Sequence, residues 1–255
     1  MTAPIVLLPR EIRLVVERLL MLTPLPHGFV PAVRDVVLYS AIAGLGGLEM
    51  LVERLEALTH ADPTALRIEE PEPGHFAVDA AGQHAWIVLP SLLDLAAEAV
   101  ARHGSAVLTI TDVQDPQELL ASAGLGRRQG LLVFGAIGQT SIAAPCAEGE
   151  APGRLRRAQA QACLFAAAMT GTPPAVDPLL ARALQEGLAV APALWWRAHH
   201  LSNTALAPDT TESRRHAGPI IVLPDGSVLG RKDNDDDTDF SLLTEKVAIN
   251  TTTLV

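Results

Sequence analysis

The chain has 255 residues, a net charge of −10 and a mean hydropathy of +0.26. This composition excludes a largely disordered chain, and the negative charge argues against nucleic acid, whose binding needs clustered lysines and arginines. No apolar run reaches the roughly 18–20 residues of a membrane span, and the N-terminus lacks the layout of a signal peptide. We therefore expect a cytoplasmic protein that binds neither nucleic acid nor membrane.

Three helices are predicted in the first sixty residues. Apolar side chains recur at helical spacing over 11–22, and a loop with three prolines separates this helix from a second that runs to about Ala43. The third begins at Leu48, after the turn Gly44-Leu45-Gly46-Gly47. That turn neither follows a strand nor leads into a G-x-G-x-x-G pattern, so we interpret it as a helix–helix connection and not a phosphate cradle.

The next segment predicts strands and a long helix. The stretches "ALRIEE" (65–70), "HFAVDA" (75–80) and "HAWIVL" (84–89) have the composition of strands. Pro90 is typical of the first position of a helix, and Gly104 is typical of the position just after its end.

Strand–helix–strand alternation continues through the middle of the chain. The strand "AVLTI" (106–110), the helix "PQELLASAGL" (116–125) and the strand "GLLVFGAI" (130–137) predict an α/β fold with parallel pairing. Later segments predict helices at 153–169, 177–187, 192–203 and 209–217, and a hairpin with a Pro-Asp-Gly turn over 218–231.

These elements predict three regions: an N-terminal helical unit (1–60), an α/β core with C-terminal helices and a hairpin (61–232), and an acidic tail (233–255). The tail opens with "DNDDDTD", whose acidic spacing lacks the glycine and glutamate of a calcium loop, so no metal site is predicted. Cys163 lies in an apolar segment read as helix and is interpreted as a buried hydrophobe. Cys146 has no evident base beside it.

The middle of the chain resembles a known family. "VERLEALTHADPTALRIEEPEPGHFAVDAAGQ" (52–83), "SLLDLAAEAVARHGSAVLTI" (91–110) and "GLLVFGAIGQTSIAAP" (130–145) are similar in pattern and order to the malate/L-lactate dehydrogenase superfamily, the type-2, non-Rossmann NAD(P)-dependent reductases of 2-oxoacids and cyclic imines. "ALAPDTTESRRHAG" (205–218) resembles a later family segment. The ending, with Asp233-Asn234-Asp235, is similar to an uncharacterised bacterial branch. The resemblance implies a dehydrogenase-like sheet flanked by helices.

The chain departs from this family at its functional motifs. The family has a turn "RGxxSHG" that contains a catalytic histidine, and the corresponding residues of this chain are "AGLGG" (43–47). Its second histidine motif, "NSxHFG", corresponds to "TDVQDP" (111–116), and no lysine precedes Lys232 to match its "GGxKGxG" turn. Nothing matches its "GTNP" cofactor segment. Hydride transfer needs an acid for the developing alkoxide or amine, so these departures predict a degenerate site and no cofactor, with NAD(P) as the alternative.

Three other groups of residues are ligand-binding candidates, and no catalytic residue is assigned. "ESRRHAG" has the composition of a solvated helix, with an anion site as the functional alternative. "WWRAHH" places Trp196 and His200 on one helical face, as a pocket or as core packing. Two aspartates follow the central strand, where ligand sites of α/β proteins gather. The candidates are Ser213, Arg214, Arg215, His216, Trp196, His200, Asp112 and Asp115.

The sequence thus predicts a dehydrogenase-like scaffold without the family's catalytic residues, which binds a small carboxylate or a peptide, or partners another enzyme, in a bacterial pathway. One alternative is an NAD(P)H-dependent reductase of 2-oxoacids or cyclic imines. Another is a peptide-tailoring enzyme or lyase that uses His216 with Asp112 or Asp115. From the family's assembly we also expect a homodimer, or a heterodimer with a paralogue.

Overall fold

A computed structural model describes residues 3–138, 140–142, 161–169, 177–206, 220–222 and 228–230. The chain divides into two units, Met1–Leu206 and Ala207–Val255. The predicted helix 209–217, the predicted tail from residue 233, and Cys146 lie outside the described residues.

The three predicted N-terminal helices are confirmed. They are α1 (Pro9–Leu20), α2 (Val30–Ala43) and α3 (Gly47–Arg54), and a 3-10 helix (Leu55–His60) continues α3. One face of α1 is buried against α2 and the core, and its members are Ile12, Val15, Val16, Leu19 and Leu20. This apolar spacing is the reason that the helix could be read from the sequence.

A mixed sheet forms the centre of the first unit. Its strands are β2 (Arg67–Glu72), β3 (His75–Asp79), β4 (Ser105–Thr111), β5 (Leu131–Ile137), β6 (Thr140–Ile142) and β7 (Ala162–Ala168), in the order β2-β3-β4-β7-β5-β6. β3 and β4 are a parallel pair, whereas the other neighbouring pairs are antiparallel. The predicted parallel pairing of the segments 106–110 and 130–137 is wrong, because β7 lies between β4 and β5 and pairs antiparallel with both. A separate pair joins β1 (Ile5–Leu7) to β8 (Leu188–Val190).

The predicted strand 84–89 is wrong, because these residues begin the helix α4 (Ala85–His103). His84 caps the helix by accepting a hydrogen bond from the Trp86 backbone N–H at 3.2 Å. The first five residues of α4 are all buried, since the helix packs between β4 and α2. A helix end that is apolar on every side has the same pattern as a buried strand, and Pro90 lies inside the helix instead of opening it.

The predicted helix 153–169 is also wrong where the structure describes it, because Ala162–Ala168 is the strand β7. β7 lies between β4 and β5 and pairs antiparallel with both. The alanine-rich sequence favours a helix locally. Between β4 and β5, however, the segment finds backbone hydrogen-bond partners on both of its sides as a strand. Cys163 is buried there, and burial raises the pKa of its thiol, so its interpretation as a buried hydrophobe is confirmed.

The remaining helices of the first unit are α5 (Ser122–Arg127), which follows a 3-10 helix (Pro116–Ala121), α6 (Pro178–Glu186) and α7 (Pro192–Asn203). The last two match the predicted helices 177–187 and 192–203. In the second unit, β9 (Ile220–Val222) pairs antiparallel with β10 (Val228–Gly230), as the predicted hairpin requires. Among the described residues, no helix is long and apolar enough to cross a membrane.

Candidate functional site

The loops after β3 and β4 meet at the carboxyl edge of the parallel pair. The backbone N–H of Gly82 donates to the carbonyl of Asp112 at 2.8 Å, and that of Gln114 donates to Gln83 at 3.0 Å. Asp112 and Asp115 adopt left-handed φ values of 50° and 49°, a region in which aspartate is enriched. Of these two predicted ligand contacts, Asp112 is exposed and Asp115 turns toward neighbouring side chains.

Asp115 lies against His84 and Arg54. Its Oδ2 is 3.3 Å from Nε2 of His84 and 3.5 Å from Nη1 of Arg54. The Nδ1 atom of His84 already accepts the Trp86 N–H, so the imidazole of His84 has a neighbour at each nitrogen. Burial lowers the pKa of His84 to about 4, against the opposing attraction of Asp115. This histidine is therefore a neutral, buried helix cap.

Glu118 holds a second buried polar cluster. Its Oε2 accepts from Ser40 Oγ at 2.5 Å and from Trp86 Nε1 at 2.7 Å, and the residue is fully buried. Burial raises the pKa of Glu118, although both donors oppose that shift. Glu118 thereby ties the end of α2 to α4 and to the 3-10 helix that follows β4.

The glycine turn is part of this cluster. The backbone N–H of Gly47 donates to Ser40 Oγ at 2.9 Å, which places the turn one hydrogen bond from Glu118. Gly44 ends α2 in the left-handed conformation, and a Cβ at Gly47 (φ 41°) would overlap the backbone of Ala41. The interpretation as a helix–helix connection is confirmed, since this turn is a tightly packed link between α2 and α3.

The other predicted site residues are not brought together with the two aspartates. Trp196 and His200 share one face of α7, with ring centroids 6.2 Å apart and both side chains exposed. The cluster from Ser213 to His216 lies outside the described residues. No group of metal-ligating side chains occurs within the described part of the chain.

A groove of about 620 Å³ lies between α1, α2, α5 and α6, and we call it the arginine groove. Leu38, Ile42, Leu125, Leu180 and Leu184 supply its apolar surface. Its cationic residues are Arg10, Arg13, Arg127 and Arg128.

Two acidic residues also line the arginine groove. Asp35 is engaged in ion pairs with Arg34 at 2.9 Å and with Arg128 at 3.2 Å. Asp177 accepts a hydrogen bond from the Tyr39 hydroxyl at 3.0 Å. Arg10 and Arg13 are exposed and have neither ion-pair nor hydrogen-bond partners among the described residues.

Sequence reasoning missed this groove. The spacing of Arg10 and Arg13 placed them on one face of α1, and Arg127-Arg128 is a visible basic pair. These signals are weak, because exposed arginines at such spacing are common on any amphipathic helix. Only the packing of α1 against α2 and α6 identifies their shared surface.

No protein-family model matches this sequence, and no curated protein matches it. Solved structures do match in fold. A dehydrogenase from Sinorhizobium meliloti has a TM-score of 0.56 at 13% identity, covering 78% of this chain and 100% of that chain. Sulfolactate dehydrogenase from Methanocaldococcus jannaschii gives 0.53 at 10% identity, with 79% and 97% covered. Delta1-piperideine-2-carboxylate reductase from Pseudomonas syringae pathovar tomato gives 0.51 at 12% identity, with 77% and 99% covered.

The expectation that this chain takes no cofactor is contradicted by these neighbours. They are dehydrogenases and a reductase, and such enzymes exchange hydride with a bound redox cofactor. The family resemblance read from the sequence is confirmed as a resemblance of fold. The chain has the α/β fold of the malate/L-lactate dehydrogenase superfamily, with its mixed sheet flanked by helices and preceded by an N-terminal helical unit.

Proposed function

We propose that this chain binds a small carboxylate in the arginine groove, on a scaffold of the dehydrogenase type. The observation that carries the proposal is the convergence of four arginines from α1 and from the end of α5 around an apolar surface. Guanidinium groups bind carboxylates through paired, charge-assisted hydrogen bonds. A cavity of about 620 Å³ lies within the range of small-molecule sites.

The charges of the groove favour an anion over a cation. Asp35 already serves Arg34 and Arg128, whereas Arg10 and Arg13 carry no partner among the described residues. This basic surface belongs to a chain of net charge −10. An anionic ligand would therefore meet a locally favourable potential on a protein that otherwise repels it.

The polar residues at the strand edge support binding in place of the family's acid–base chemistry. Proton transfer needs a group within hydrogen-bond reach of the substrate. The side chain of His84 is 1% exposed and Glu118 is fully buried. Both serve the internal packing of α2, α4 and the loop after β4, which supports the proposal that the family's catalytic residues are lost.

Calorimetric titration with 4-methylpentanoate and pentanoate tests the proposal. Each arginine that contacts a carboxylate contributes about 1.5–3 kcal/mol, so Arg10→Ala together with Arg13→Ala should weaken binding by at least tenfold. Arg197→Ala, an exposed arginine of α7 outside the groove, is the matched control and should leave the affinity unchanged. Equal affinities for the wild type and the double variant would refute the proposed site.

A second candidate is an NAD(P)H-dependent reductase of 2-oxoacids or cyclic imines, favoured by the fold of the three solved neighbours. The groove fits such a cofactor in volume and charge, and Arg10, Arg13, Arg127 and Arg128 would hold its diphosphate. A bound nicotinamide supplies hydride. A neighbouring groove of about 340 Å³, which shares Asp35, Leu125 and Arg128, would admit a small substrate.

Thermal unfolding with NADH or NADPH separates the two candidates. A ligand at a hundredfold excess over Kd stabilises the native state by about 2.7 kcal/mol. A rise in Tm with either nucleotide, accompanied by oxidation of the nucleotide when a 2-oxoacid or cyclic imine is added, would favour the reductase. Stabilisation by carboxylates alone would favour the binding protein.

A further inference from the structure

Asp177 forms part of the wall of the arginine groove and caps the helix α6. Its Oδ1 accepts hydrogen bonds from the backbone N–H groups of Leu179 at 3.0 Å and Leu180 at 3.2 Å. The same oxygen accepts from the Tyr39 hydroxyl at 3.0 Å. The carboxylate is therefore fixed from two directions, by the helix it caps and by a side chain of α2.

The second oxygen of this carboxylate has no such partner. Oδ2 of Asp177 accepts no hydrogen bond from any described residue, although the residue is 6% exposed. A buried acceptor without a donor is costly, and the great majority of such atoms in native proteins are satisfied. Because Asp177 lines the arginine groove, a donor on a bound ligand would satisfy this oxygen.

The groove thus combines cationic groups with one fixed anionic acceptor. Arg10 and Arg13 suit a carboxylate, and Asp177 Oδ2 suits a donor, with a preference for a charged ammonium over a neutral hydroxyl. Leu180 and Leu184 extend from the same helix as an apolar surface, and Leu184 is 53% exposed. A ligand that satisfies all three features carries an anion, an ammonium group and a hydrocarbon side chain.

We propose that the ligand of the arginine groove is an apolar α-amino acid. Its carboxylate pairs with Arg10 and Arg13, its ammonium group donates to Asp177 Oδ2, and its side chain packs on Leu180 and Leu184. This inference rests on the proposed carboxylate-binding function and narrows it, because it requires a ligand with both charges.

The test compares L-leucine with 4-methylpentanoate, which has the same carboxylate and branched chain but no amino group. Calorimetric titration of the wild-type chain should give an affinity for L-leucine at least about tenfold higher than for 4-methylpentanoate. Asp177→Asn keeps a good helix cap, because asparagine ranks with aspartate at that position. It replaces Oδ2 by a donor, so the preference for L-leucine should fall to near unity while the affinity for 4-methylpentanoate is retained.

Asp79→Asn is the matched control, since it removes one negative charge from β3, outside the groove, and should keep the preference. Equal affinities of the wild type for the two ligands would overturn this inference and leave the carboxylate proposal intact. A preference that survives Asp177→Asn would also overturn it. Absence of binding for both ligands would refute the carboxylate proposal itself, and the inference with it.

Discussion

The clearest prediction concerns the response of stability to acid, through His84. The pKa of this imidazole is about 4 in the folded chain, below its ordinary value of 6.5, because the ring is buried. Between these values the unfolded chain binds a proton that the folded chain excludes. The free energy of unfolding should therefore fall as the pH drops from about 6.5 toward about 4, and this contribution should be constant above that window.

The size of the effect follows from the two pKa values. Each pKa unit corresponds to about 1.36 kcal/mol, so protonation linked to His84 should cost about 2 kcal/mol by about pH 5. Its maximum is about 3 kcal/mol, reached below the folded pKa. Glu118 acts in the opposite sense as the pH falls toward its ordinary pKa of 4.5, since its raised pKa lets the folded chain take up a proton before the unfolded chain does.

The measurement is urea unfolding of the wild type and His84→Asn between about pH 8 and pH 5. Asparagine retains a side-chain acceptor for the Trp86 N–H and does not titrate. The variant should lose about 2 kcal/mol less stability over this range than the wild type. Parallel pH curves for the two proteins would show that the histidine is not held neutral and would refute the reasoning.

Three further predictions concern the glycine turn, the buried carboxyl and the assembly. Gly47→Ala should destabilise the chain by more than about 2 kcal/mol in urea unfolding, because its Cβ meets the Ala41 backbone. Gly104→Ala, where φ is 79° but nothing crowds a Cβ, should cost about 1–2 kcal/mol; equal losses would contradict the packing argument. Glu118→Leu should lower the free energy of unfolding by about 2–6 kcal/mol, because it leaves Ser40 and Trp86 without an acceptor. Glu118→Gln, which keeps an acceptor, should lower it far less, and chemical denaturation of both variants measures the difference. Light scattering should give twice the 26.9 kDa chain mass if the expected homodimer forms, and the single-chain mass would count against it.

Elements with a strong local pattern could be predicted from the sequence. α1 and α2 have apolar residues at helical spacing, and β4 alternates buried and partly exposed positions. The start of α4 could not be predicted, because a helix end that is buried on every side has the same apolar pattern as a buried strand. β7 could not either, since its alanines favour a helix and only the gap between β4 and β5 makes it a strand.

The candidate site depended on tertiary structure to a greater degree. Arg13 and Asp177 lie far apart in sequence, and no spacing rule connects residues that converge through the packing of α1, α2 and α6. The sequence placed Asp115 at the end of the central strand as a ligand contact, whereas in the structure its neighbours are the side chains of His84 and Arg54. The sequence could not distinguish a buried polar residue with structural partners from one that faces a ligand.

The central position of β7 has a consequence for the order in which the chain can fold. β4 and β5 are both complete by Ile137, yet the strand that joins them ends at Ala168. At synthesis rates of about 5–20 residues per second, β7 is completed seconds after β5. During this time the facing edges of β4 and β5 have backbone hydrogen-bonding groups without a partner strand. Truncated or stalled chains that end before Ala162 should therefore associate through these edges, which makes this interval the point at which the nascent protein most needs a chaperone.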